Sequence, residues 1–77
     1  MDIKFPLYRK YSHNKTFFKV MSFDEFEEVQ IQGDGIKRFK FVARILPERT
    51  YIQDLISNEN QNWIEIDEEE YDAVKKA

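Results

Sequence analysis

The sequence predicts an α+β fold: a small, mostly antiparallel sheet with short helices packed mainly on one of its faces. Three observations carry that expectation. Residues 36–46, IKRFKFVARIL, alternate with a period of two, so Phe39, Phe41, Ala43 and Ile45 share one face of a strand and Lys40, Val42, Arg44 and Leu46 share the other. Two shorter runs, LYRKYS (7–12) and TFFKVM (16–21), carry the aromatic and β-branched residues that suit a pleated, half-buried surface. Three stretches open with helix-start chemistry, at Ser22, Pro47 and Asp67. The expected order is strand, strand, helix, strand, helix, strand, helix, with residues 36–46 as the central strand.

Pro6 has no N–H to give a ladder, so the first strand starts there or lies at an edge. His13-Asn14-Lys15 joins it to the second strand, and Asn tolerates the left-handed backbone a tight hairpin needs. Phe17 and Phe18 point to opposite faces of any strand that holds both, so a helix or a second copy has to cover one of them. Ser22-Phe23-Asp24-Glu25 fits a capping box, and Phe23, Phe26 and Val29 then make an apolar stripe at helical spacing. Val29-Gln30-Ile31-Gln32 alternates like a strand, so the end of that helix stays open; Gly33-Asp34-Gly35 terminates it in either case. Pro47 suits a first helical turn, and Tyr51, Ile52, Leu55 and Ile56 recur at helical spacing across 48–57. Residues 58–62 are a polar loop and 63–66 a last short strand. Asp67 caps a final helix with Glu70 at N3, Tyr71 and Val74 facing inward, and Lys75 and Lys76 at the negative end. The expected core includes Phe18, Val20, Phe26, Phe39, Phe41, Ala43, Ile45, Ile52, Leu55, Ile56, Trp63, Tyr71 and Val74.

Residues 18–29 align without gaps on residues 63–74. Each reads strand, capping residue, two variable positions, Glu, aromatic, two positions, Val. A strand feeding a capped helix with one aromatic anchor accounts for both copies, so both are expected to be scaffold.

Seventy-seven residues make a single domain spanning 1–77, near the small end of what folds unaided. With no cysteine, neither a disulfide nor a thiolate metal site can supplement the core, and seven Phe, four Tyr and one Trp have to supply it. The opening MDIKFPLYRKY does not resemble a secretory signal, and no run approaches the roughly 20 apolar residues of a membrane span. A cytoplasmic protein with no membrane partner is expected. The charges are segregated. Lys4, Arg9, Lys10, Lys15 and Lys19 lie in 1–20, and Lys37, Arg38, Lys40 and Arg44 in 36–46, whereas 21–35 and 50–77 are acidic. The two sets are expected to neutralise each other across the fold.

No catalytic constellation is visible. His13 is the only histidine and sits in a turn, without a cysteine or second histidine to join it. Asp67-Glu68-Glu69-Glu70 with Asp72 lacks the spacing and glycine of a calcium loop, and consecutive helical residues diverge; these acids match the helix dipole. Gly33-Asp34-Gly35 precedes a strand and lacks the Lys-Ser/Thr of a phosphate loop. Neither cofactor nor metal is expected, and the chain is not expected to be an enzyme. The expected function is a non-enzymatic protein-interaction module, binding another protein or a second copy of itself through the outer face of the first hairpin at Tyr8, Lys10, Tyr11 and Phe17. The alternative is single-stranded nucleic-acid binding through Arg9, Lys10, Lys19, Lys40 and Arg44 with the neighbouring rings. The segments YRKYSHNKTFFKV, ARILPERTYIQDLI and NWIEIDEEEYDAV together resemble a family of small bacterial proteins of unknown function. The resemblance implies a bacterial, cytoplasmic chain and carries no activity or site residue.

Overall fold

Four strands succeed one another as a meander: β1 (Leu7–Lys10), β2 (Thr16–Ser22), β3 (Glu25–Gln32) and β4 (Gly35–Val42). The helix α1 (Leu46–Ser57) comes next, then the short strand β5 (Ile64–Glu65) and the helix α2 (Glu68–Lys75). The computed structural model describes residues 3–59 and 61–76, so Asn60 of the expected polar loop lies outside the described residues. All pairings are antiparallel, and β5 returns to the far side of β1, giving the order β4-β3-β2-β1-β5. The α+β class and the antiparallel sheet are those the sequence predicts.

The first hairpin turns as expected. Asn14 has φ 61°, its N–H donates to Tyr11 O at 3.0 Å, and Tyr11 N–H donates to Thr16 O at 3.1 Å. α2 also starts as expected, with the Asp67 carboxylate accepting the Glu70 N–H at 2.9 Å. α1 begins with Pro47 in its first turn, and the Glu48 carboxylate accepts the N–H groups of Arg44 (2.9 Å) and Ile45 (3.2 Å). Its far end is held by a buried cation. Arg9 Nε donates to Leu55 O at 3.1 Å and Nη2 to Ile56 O at 3.3 Å, meeting carbonyls that the last turn of a helix leaves unpaired. Beyond it, the Asn58 side chain brackets Trp63, donating to its carbonyl at 2.6 Å and accepting from its N–H at 3.1 Å.

Three expectations are corrected. Residues 22–29 are not a helix. Ser22 ends β2, Phe23-Asp24 forms the turn, and Glu25 begins β3. The Ser22 hydroxyl accepts the Asp24 N–H at 3.3 Å and donates to the Asp24 carboxylate at 2.7 Å, which stabilises a turn rather than a first helical turn. Strands on both sides then claim the backbone groups of β3, with Phe26 paired to Val20 on one side and to Phe41 on the other.

Residues 36–46 are not the central strand. β4 is an edge, because β5 docks on β1 and leaves β4 one neighbour; the strand at the centre is β2. It also stops at Val42. Ile45 becomes the N-cap of α1 and Leu46 its first residue, and both side chains are exposed.

Nor are the helices on one face. The registers Val20–Phe26–Phe41 and Phe18–Glu28–Phe39 define one face, on which Phe18, Val20 and Phe26 pack with Ile52 and Leu55 of α1 and with Trp63. The alternate residues Tyr8, Phe17 and Val29 pack with Tyr71 of α2 on the other. The sheet is the middle layer of three, and α2 is the helix that covers Phe17. Among the expected core residues, Phe18, Val20, Phe26, Ala43, Ile52, Leu55, Trp63 and Tyr71 are buried, Ile56 and Val74 are half-buried, and Phe39, Phe41 and Ile45 are exposed. Tyr8, Phe17, Val29 and the cation Arg9 are buried in addition to that set.

Candidate functional site

The two ends of the sheet differ in cover. At the β1–β2 end each face lies under a helix. α2 is fastened over its face by Lys10 to Glu70 at 2.7 Å, Lys75 to Glu27 at 3.1 Å and the Tyr71 hydroxyl donating to Glu27 at 3.3 Å. Burial alone would raise the Glu27 carboxyl, but the Lys75 ammonium, the Tyr71 hydroxyl and Lys19 outweigh it and hold it below the ordinary carboxylate value. Burial pushes the Tyr71 phenol up, and the adjacent Glu27 charge pushes it further.

At the other end β4 makes only partial contacts with the rest of the described residues. All of its residues except Ile36 are exposed, and Phe39 and Phe41 keep 39% and 41% of their surface in solvent. Ala43, the next residue along the chain, fixes the phase of its hydrogen bonds, since the Ala43 N–H donates inward to Asp24 O at 2.6 Å. In an antiparallel ladder alternate residues direct N–H and C=O to the same side. The odd residues 35 to 41 therefore bond to β3, and Ile36, Arg38, Lys40 and Val42 direct theirs outward. The result is four backbone donors and four acceptors in a row, without a strand among the described residues to take them.

Beside this edge, on the α1 face, runs an open groove of about 380 Å³. Phe26 and Phe41 stack at 4.9 Å between ring centroids to form its floor, Ala43, Pro47 and Tyr51 line the side towards α1, and the carboxylates of Glu28 and Glu48 complete the lining, so the groove itself suits apolar groups and not acids. Burial, together with the nearby Tyr11, raises the Tyr51 phenol, so that ring stays neutral. Charge on β4 is of one sign. Lys40 pairs with Glu25 at 3.1 Å and Arg38 donates to the Lys75 carbonyl at the end of α2. Lys37 and Arg44 are in no ion pair among the described residues.

The residues expected to form a partner surface are not brought together in the open. Tyr8 and Phe17 are buried under α2, and Lys10 is half-buried in its pair with Glu70. Tyr11 is on the opposite face, half-buried against Phe18 and Trp63 at 5.6 and 6.2 Å between ring centroids. The basic set does not converge either. Arg9 is buried beneath α1, Lys10, Lys19 and Lys40 lie on the α2 face, and Arg44 stands exposed at the β4–α1 junction. Lys10 and Lys40 have acidic partners, as the segregated charges suggest. His13 is exposed, its Nδ1 accepting the Lys15 N–H at 2.9 Å, and no three of the His, Asp and Glu side chains gather as metal ligands among the described residues.

Alternation with a basic face makes the rings of β4 look like core in the sequence. The same lysines and arginines carry the better signal, since cations along a strand mark an unpaired edge. No family model, curated protein or solved structure matches this chain.

Proposed function

We propose that this chain is a non-enzymatic protein-interaction module that works through the β4 end of its sheet. One observation carries the reading: an eight-residue aromatic strand left at the edge, with its outward backbone groups unpaired by strand and an apolar groove beside it. Main-chain hydrogen bonds give an incoming strand affinity and the neighbouring rings give it selectivity. The cysteine-free sequence favours a cytoplasmic setting, and no helix among the described residues is long and apolar enough to cross a membrane. Nucleic acid is the weaker reading, because its five cations face different ways and Arg9 is spent on the carbonyls of α1.

The test is photo-crosslinking in cells that express the protein, with benzoylphenylalanine at position 39 and, as control, at the exposed Glu69 of α2. Protein adducts at 39 and not at 69 are expected. Adducts to nucleic acid at 39 would replace this reading with the alternative, and equal labelling at both positions would overturn it.

A further inference from the structure

Resting on that reading, we infer that the occupant of the β4 edge is an extended acidic peptide of a partner protein, added antiparallel as a sixth strand. The backbone sets the form of the ligand. Ile36, Arg38, Lys40 and Val42 offer N–H and C=O at alternate positions, a pattern that only an extended chain satisfies in full. An antiparallel entrant continues the one pairing mode this sheet uses.

Side chains set its chemistry. Between Gly35 and Leu46 the chain has Lys37, Arg38, Lys40 and Arg44 and no acid. Arg38 and Lys40 stand on the α2 face, and among the described residues Lys40 has a carboxylate partner while Arg38 donates to the Lys75 carbonyl. A second copy of the chain does not suit this edge. Two β4 strands paired antiparallel must match residues of one face. Near the strand centre that sets Arg38 opposite Lys40, or one of them opposite itself, and like charges directly opposite are destabilising. An acidic strand reverses the sign of that contact. On the α1 face the entrant meets Phe39, Phe41 and the groove, with Lys37 nearer the start of the strand, so its residues opposite the two rings are apolar.

The chain already contains an acidic strand that pairs with β4. β3, EFEEVQIQ, lies against the inner side of β4 with Glu27 opposite Lys40 and Phe26 opposite Phe41. Its sequence, as a free peptide, is the probe. The full chain, labelled with nitrogen-15, is titrated with acetylated and amidated EFEEVQIQ and with KFKKVQIQ, and amide exchange is followed by residue. Saturation with the acidic peptide is expected to slow exchange at Ile36, Arg38, Lys40 and Val42 by about tenfold or more, while residues already bonded to β3 change little. The lysine peptide is expected to bind about tenfold more weakly or worse, and the gap should narrow as salt is added.

Equal binding of the two peptides would overturn the inference, as would acidic-peptide binding that leaves those four amides fast. Protection of the same amides that rises with protein concentration alone, without peptide, would replace the peptide with a second copy. If crosslinking at position 39 succeeds while the acidic peptide fails to bind, the docking reading stands and the acidic occupant is wrong.

Discussion

Residues 18–29 and 63–74 carry one pattern and fold two ways. In the second copy Trp63 and β5 lead to Asp67, the Asp67 carboxylate caps Glu70, and Tyr71 and Val74 turn inward on one side of α2. In the first, Ser22 closes a turn, and Phe26 and Val29 go to opposite faces of β3, one into the core under α1 and one into the core under α2. A spacing of three puts two apolar residues on the same side of a helix and on opposite sides of a strand. It normally argues for a helix because one sheet face is usually wet. Here helices lie on both faces, so the strand buries both residues and the usual argument loses its force. The difference between the copies lies downstream. Val29 leads into Gln-Ile-Gln and then Gly33-Asp34-Gly35, a turn that delivers β4 as a ladder partner, whereas Val74 leads into Lys75 and Lys76 at the negative end of a helix.

The sharpest way to break the comparison is at the aromatic anchors. Tyr71 is wholly enclosed and Phe26 borders the open groove. Tyr71→Ala is expected to cost about 4 kcal/mol and Phe26→Ala about 3 kcal/mol, read from urea denaturation, because the site that can relax into a groove loses less. A reversed order would show that the groove wall is the stiffer part. The aligned valines come next. Val29 is 1% exposed and Val74 half-buried, so Val29→Ala is expected to cost about 2 kcal/mol and Val74→Ala about 1 kcal/mol in the same assay. Equal costs would mean that α2 packs as tightly as β3. The capping positions rank third. Asp67→Ala removes a true N-cap at a cost of about 1 kcal/mol. Ser22→Ala removes only a turn contact and is expected to cost a few tenths, on the order of ordinary surface changes.

The same contrast explains how much is legible in the sequence. The hairpin turn at Asn14, α1 after Pro47, the Asp67 cap and most of the core come from local chemistry, and local chemistry is what a sequence displays. The placement of β5 beside β1 does not. Two residues, Ile64 and Glu65, decide that β4 is an edge and not the middle of the sheet, and with it that Phe39 and Phe41 meet water. The expected partner surface fails for a related reason. Tyr8 and Phe17 do need cover, as their position on the strand requires, but the cover is α2, whose reach across the sheet depends on long-range contacts such as Lys10–Glu70. Arg9 resembles a phosphate contact in the sequence because a cation on a strand looks solvated until a helix end is known to point at it.

The smallest expected effect tests where the two copies touch. Glu27 in the first accepts hydrogen bonds from Tyr71 of the second and from Lys75 just beyond it, and its carboxyl is held below the ordinary value. A carboxyl with a folded pKa below its unfolded value of about 4.3 binds a proton less readily when folded. Its contribution is therefore present above about pH 4.3 and is lost as pH falls through the folded value. The Lys75 partner is partly exposed, so solvent screening keeps the pair to well under about 1 kcal/mol. Glu27→Gln is expected to lower stability slightly at pH 7, and its difference from the parent should shrink on acidification. Tyr71 gives the opposite arm. Its phenol is raised, so the folded state holds that proton more tightly, and stability falls as pH climbs past the unfolded value of about 10. Tyr71→Phe should flatten the alkaline limb while leaving the acid limb in place. If Glu27→Gln tracks the parent at every pH, the second copy rests on the first through packing of Tyr71 alone.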